Sequence, residues 1–283
     1  MAQRTAPTAR QQRLGYELRR LREHADLSTT AAAKLLGVTQ SRVSNTESAR
    51  IPVSADRIRT LAYELGCADH QFVDSLAAMA TGRSRGWWEE YREILPAFML
   101  DLAEMEHYAA ALRSTQVLYL PGHLQTVDYA RHVFRSNIPT PSPPLVEFLT
   151  SHRVKRQQVL YREAPLPFIA MIHEAALRIR VGDDKVMKEQ LKHIAEVSEL
   201  PHITVLVVPY SAGLMPGSGQ TVLYAEGPVP RLDTVQLDTE HGAEFLFSDS
   251  QLDKYRTLLE RTERMALSPT ASRELITSIA RSR

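Results

Sequence analysis

Residues 37–47 read GVTQSRVSNTE, a glycine followed by polar side chains broken only by Val38 and Val43. So short a segment, with so sparse an apolar stripe, cannot hold a core of its own. It is stable only as a helix docked by its inner edge onto neighbouring helices. Those neighbours are present. Leu14, Leu18 and Leu21 recur at helical spacing in RLGYELRRLREHA, with the arginines expected on the opposite side. Ser28 is placed to cap a second short helix, TTAAAKLLG, which stops at Gly37, the residue type suited to a left-handed turn. After the break at Pro52, Ile58, Leu61, Ala62 and Leu65 form the inner stripe of a fourth helix, and HQFVDSLAAMA forms a fifth. The third helix must then turn its polar residues outward. A helix presenting short hydrogen-bonding groups is what readout of a DNA major groove needs, because the groove admits one helix and its base edges offer donors and acceptors. Gln40 and Asn45 have the amide chemistry that suits adenine, Ser41 and Ser44 are short enough for close approach, and Arg42 reaches a guanine or a phosphate.

Charge is distributed in the same sense. Residues 1–85 hold 13 Lys+Arg against 8 Asp+Glu, a balance of +5, whereas the remaining 21 against 25 give −4. The basic end is the candidate polyanion binder. With 283 residues, 43% of them hydrophobic, the chain is too apolar for disorder and long enough for two domains. It shows neither an apolar run of membrane-spanning length nor a secretory leader, so a soluble cytoplasmic protein is expected, nucleoid-associated when bound to DNA. Cys67 has no internal partner and is expected in the core.

The expected layout is a flexible tail over 1–12, an all-α five-helix domain over 13–82, and a larger mixed α/β domain over 86–283 with a small sheet flanked by helices. TGRSRG marks the boundary. The stretch from Trp87 to Leu120, aromatic and acidic at first, reads as helix broken at Pro96 and again at Pro121-Gly122, and HLQTVDYARHVFRS continues as helix up to the proline-rich IPTPSPP. LPFIAMIHEAAL reads as a buried strand running into a helix. ITVLVVPY, QTVLYAE, TVQLDT and GAEFLF are read as strands, and SQLDKYRTLLERTERMA and SPTASRELITSIARS as closing helices.

LRRLREHADLSTTAAAKLLGVTQSRVSNTESARIPVSADRIRTLAYELGC resembles the DNA-binding domain of XRE-type, phage-repressor-like regulators over roughly residues 13 to 80. The resemblance implies a structural tie between Arg22 and Glu47, base reading by Gln40, Ser41, Ser44 and Asn45, and phosphate contacts from Thr29, Thr39 and Arg50. Two positions depart from the pattern: Thr29 stands where a glutamine is usual, and Ala49 where a glycine usually follows the glutamate. Five ordered landmarks resemble the C-terminal domain, of unassigned function, of actinobacterial WhiJ-type regulators. They span Glu106 to Arg113, Pro121 to Arg131, Arg153 to Leu160, Glu174 to Leu177, and Leu267 to Ser272, and TVQLDTEHGAEF departs from the usual strand. This resemblance implies a small accessory protein as partner and developmental or antibiotic-related control.

No feature of the larger domain reads as catalytic, and no cofactor or metal is expected. His173-Glu174 lacks a second histidine at HExxH spacing, Gly217-Ser218-Gly219 lacks the nucleophile-elbow context, and the ten histidines form no ligand pattern. The reading is a sequence-specific transcriptional regulator, a repressor by default, binding a palindromic operator as a homodimer. The accessory protein would act through the larger domain. Two alternatives stay open. One is a small-molecule-sensing repressor with a pocket at Trp87, Trp88, Tyr91 and Phe98, a cluster that equally serves as packing or partner surface; the other is a DNA-binding antitoxin.

Overall fold

Thr8 opens the first helix of a computed structural model that describes residues 6–81, 86–217, 219–239 and 241–283. The Thr8 hydroxyl accepts from the Gln11 N–H and the Gln11 side chain accepts from the Thr8 N–H, a reciprocal cap that starts α1 (Ala9–His24) inside the stretch expected to be a tail. α2 (Thr29–Leu35), α3 (Gln40–Glu47), α4 (Ala55–Glu64) and α5 (His70–Thr81) follow, and the chain falls into two compact units, residues 1–87 and 88–283. The boundary segment TGRSRG falls largely outside the described residues, as does Ser218. Leu14, Leu18, Leu21, Ile58, Phe72 and Leu76 are buried in the first unit. Not every arginine of α1 faces outward, however: Arg13 and Arg22 are buried, each against a carboxylate, Glu17 and Glu47. Cys67 is half-buried in the turn after α4 rather than in the core, where its N–H donates to the Ala62 carbonyl.

The second unit is built on a six-stranded sheet of order β3-β2-β1-β4-β5-β6. Its strands are β1 (Ala111–Gln116), β2 (Phe168–His173), β3 (Ile203–Val208), β4 (Val222–Glu226), β5 (Thr234–Thr239) and β6 (Gly242–Leu246). β1, β2 and β3 run parallel, with Leu112 opposite Phe168 and Phe168 opposite Ile203; β4, β5 and β6 add on antiparallel. One expectation fails here. ALRSTQ, read as the continuation of a helix, is β1, one of the two central strands. Its Ala, Leu, Arg and Gln are good helix formers, but a β2 edge on one side and a β4 edge on the other satisfy its backbone, and Leu112 is fully buried.

Before the sheet stands α6 (Ala97–Tyr108). α7 (Val127–Arg135) and α8 (Pro143–Gln157) carry the chain from β1 to β2, and α9 (Glu174–Arg178) and α10 (Asp184–Val197) from β2 to β3. α11 (Asp249–Met265) and α12 (Pro269–Arg281) close the chain. One sheet face packs Phe168, Ala170, Ile172 and Val205 with Leu191 and Ile194 of α10 and Ile276 of α12; the other packs Met171, Val222, Val235 and Leu237 with Leu252, Tyr255 and Leu259 of α11. The outer side of β3 is sealed at Val207, whose N–H donates to Ser272 Oγ and whose carbonyl accepts from the Leu267 N–H.

Polar landmarks of the sequence meet beside this core. Gln157 Nε2 donates to the carbonyls of Gly122 and Gln125, and Gln190 Nε2 to that of Leu124, so the PGHLQT turn is held by side chains from two helices. Below it, Arg156 lies side-on against Glu106 at 2.5 and 2.8 Å, with His123 Nε2 3.2 Å from the same carboxylate. Burial alone would push the Glu106 carboxyl up, but Arg156 and His123 outweigh it and hold it well below the usual carboxylate range. A depressed folded pKa gives stability that is present above the unfolded value of about 4.3 and lost as pH falls. Unfolding free energy should therefore drop steeply below about pH 4. Glu106→Gln, which strands Arg156, should lower it at pH 7 by about 3–5 kcal/mol in urea titrations.

Candidate nucleic-acid interface

α3 carries one buried residue, Val43, which packs with Ala32 and Ala33 of α2 and the half-buried Leu27 and Val38. The joint before it is set locally. Gly37 takes a φ of 62°, and the Val38 N–H returns to the Ala33 carbonyl at 2.9 Å. Thr39 then caps α3, its hydroxyl accepting from the Arg42 N–H at 3.3 Å, and lies 3.1 Å from Ser41 Oγ.

The far end of α3 is clamped onto α1. Arg22 Nε and Nη2 donate to the two Glu47 oxygens at 2.6 and 2.9 Å, and Arg22 Nη1 donates to the Leu27 carbonyl at 2.7 Å. Both side chains of the pair are only 10% exposed. Gly15 makes this approach possible, because a Cβ there would collide with the Glu47 carbonyl oxygen. Beyond Glu47, Ala49 takes a φ of 56° while the Arg50 and Ile51 N–H groups close on the Asn45 carbonyl. Ala49 thus occupies, at a steric cost, the left-handed position that a glycine would fill freely.

What remains on the outward side is specific. Thr39, Gln40, Ser41, Arg42, Ser44 and Arg50 are exposed, and Thr29 and Asn45 half-buried. Gln40 Nε2 donates to Thr29 Oγ1 at 3.2 Å, linking the heads of α3 and α2. One amide hydrogen and the amide oxygen of Gln40 are left over, the pair a bidentate contact to adenine uses, and the Thr29 hydroxyl keeps its proton to donate. Asn45 sits deeper than Gln40 and Ser44. Sequence reasoning missed Arg57, whose Nη2 donates to the Leu36 carbonyl at 2.9 Å and so ties α4 to the end of α2. An arginine just inside a capped helix start is an ordinary sight, and nothing in its spacing names an acceptor 21 residues away. A groove of about 870 Å³ runs beside α3, lined by Val38, Thr39, Arg42, Thr46, Pro52 and Arg57 among others.

Two members of the aromatic cluster are packed into the interior of the second unit. Trp88 and Tyr91 are buried in contacts of their own: Trp88 lies edge-on to His107, and Tyr91 OH lies 2.8 Å from Ser151 Oγ with its ring edge-on to His152. Burial pushes His152 down to about 3, with the like charge of Arg156 adding to it, so this ring stays neutral. Trp87 and Phe98 are half-buried, Trp87 in the first unit and Phe98 beside Gly242. None of the four lines the groove beside α3. Among the described residues, no three His, Cys, Asp or Glu side chains are placed to hold a metal ion, and no helix is long and apolar enough to cross a membrane.

Comparison with known families gives two matches. The pattern of a helix-turn-helix domain covers residues 13–72, and that of a domain of unknown function, DUF5753, covers residues 99–278. No curated protein and no solved structure matches the chain.

The α1–α3 clamp generates two opposite predictions. Ala49→Gly should raise the stability of the first unit by roughly 0.5–1 kcal/mol, since the relief of left-handed strain exceeds the added freedom of the unfolded chain. Gly15→Ala should lower it by about 1–3 kcal/mol by forcing the two helices apart. Thermal melts of the two variants, followed by helical circular dichroism, measure both.

Proposed function

Because this chain belongs to the DUF5753 family and joins that domain to a helix-turn-helix domain, we propose that it is a sequence-specific DNA-binding transcriptional regulator that acts as a repressor. The observation behind this reading is the outward side of α3, where exposed Gln40, Ser41, Arg42 and Ser44 stand on a helix fixed at both ends by Thr39 and by the Arg22–Glu47 pair. Gln40, Ser41, Ser44 and Asn45 read bases. Arg42 takes a base or a phosphate, and Thr29, Thr39 and Arg50 hold phosphates. One such helix reads one half-site, so a palindromic operator bound by a homodimer follows. The larger domain receives the signal, a small accessory protein, and passes it on as a change in operator affinity.

Selection of duplexes from a random pool by the purified full chain tests this reading. A consensus with two inverted half-sites should emerge, and log affinity should fall linearly with log salt concentration. Gln40→Ala should relax preference at one position of each half-site by about 1–3 kcal/mol, whereas Arg50→Gln should weaken all duplexes alike and reduce the salt slope by about one. Recovery of no consensus, with equal affinity for all duplexes, would sink the proposal.

A further inference from the structure

The groove beside α3 is a cavity of about 870 Å³ whose lining residues all belong to the first unit, and its size is that of a small-molecule pocket. It divides the surface of α3 in two. Thr39, Arg42 and Thr46, at helical spacing, line it, whereas Gln40, Ser41, Ser44 and Asn45 do not. The residues read as base-facing and those of the groove thus lie on different sides of one helix, and Arg42 belongs to the groove.

The lining is of two kinds. Leu36, Val38, Val53 and Leu61 are only half-buried, so aliphatic surface there is left open to water. The charged groups are Arg42, Arg57 and Glu47, and both oxygens of Glu47 are taken by Arg22. Neither Arg42 nor Arg57 has an ion pair among the described residues. Arg57, half-buried, is steadied by its Nη2 bond to the Leu36 carbonyl at 2.9 Å, and Arg42 is exposed. Ser54 and Ala55, at the head of α4, line the groove as well, and the positive end of that helix adds to the sign. A cation without a counter-ion does not by itself mark a site; a cavity around two of them, with aliphatic lining and no uncommitted carboxylate, does. A DNA backbone would use the arginines and leave the aliphatic surface wet, while a purely apolar partner would cover that surface and strand the arginines. An organic anion with an apolar body satisfies both.

We propose that this groove is an effector site for a small organic anion with an apolar body, its acidic group on Arg42 and Arg57 and its body on the aliphatic lining. A bound anion takes Arg42 from DNA and leaves Gln40, Ser41, Ser44 and Asn45 uncovered, so it lowers affinity for the operator without altering the bases those four prefer. The site goes beyond the DNA-binding reading; its effect on affinity rests on that reading.

The test is fluorescence titration of the full-length chain with anilinonaphthalene sulfonate, an apolar anion, beside phenylnaphthylamine, the same rings without the sulfonate. The anionic probe should bind saturably and roughly 10-fold more tightly than the neutral one. Arg42→Gln and Arg57→Gln should each weaken it roughly 10-fold, whereas Arg19→Gln, which removes an exposed charge of α1 outside the groove, should leave it unchanged. Because Arg57 also ties α4 to α2, Arg42→Gln carries the decision. With a labelled duplex bearing the selected consensus, saturating anionic probe should lower duplex affinity several-fold for the wild type and not for Arg42→Gln. The proposal is overturned if the neutral probe binds as tightly as the anionic one, if Arg42→Gln leaves probe binding unchanged, or if saturating probe leaves duplex affinity unchanged. A chain that binds no duplex refutes the DNA-binding reading and with it the effect on affinity, while the probe titration still decides the groove.

Discussion

A guanidinium fork laid side-on against a carboxylate is the interaction on which both units depend. In the first unit, Arg22 and Glu47 join helices 25 residues apart in sequence; in the second, Arg156 and Glu106 join α8 to α6 across 50 residues. Each pair is largely withdrawn from water, with side-chain exposures of 10% and 10% for the first and 7% and 1% for the second. At such burial neither charge is tolerable without the other, so each fork fixes one register and one distance between its helices. Gly15 and Gly122 complete the arrangement from the backbone side, the first by letting α1 approach Glu47, the second by leaving room for the neighbouring Arg153.

This constraint explains how α3 can be so polar. With one buried valine, the helix gains little from apolar contact, and caps and clamp take over: Thr39 at its start, the Asn45 carbonyl closed by two N–H groups at its end, and Glu47 on Arg22. Apart from the Thr39 hydroxyl, none of these uses the outward side chains. The atoms that hold α3 and the side chains exposed on it are thereby largely different, so an exposed residue such as Gln40 or Ser44 can change without loosening the helix.

The helix-turn-helix is legible in sequence because its signals are local: leucines at helical spacing, Ser28 and Gly37 at helix ends, and one valine in a polar run. The strands ITVLVV, VLYAE and TVQLDT are legible for the same reason, being rich in β-branched residues between turns. ALRSTQ is not, since nothing in its own residues opposes a helix. It becomes a strand because two other strands, one more than 50 and one more than 100 residues downstream, present edges to it. The aromatic cluster is ambiguous in sequence for another reason. Aromatic side chains serve a pocket and a packed core equally well, and the neighbours that Trp88 and Tyr91 meet, His107, Ser151 and His152, come from later in the chain.

Sequence by itself thus determined where helices start and stop, which end of the chain is basic and which short helix must turn its polar side outward, because capping, periodicity and charge act over a few residues. Tertiary structure alone decided that ALRSTQ is the centre of a sheet, that Arg57 holds the end of α2, and that of two arginines less than a turn apart Arg156 is neutralised and Arg153 is not. The reason is common to all three. A backbone edge, a free carbonyl or a carboxylate supplied from far along the chain has no signature in the residues it will meet, and becomes a partner only when the fold brings the two together.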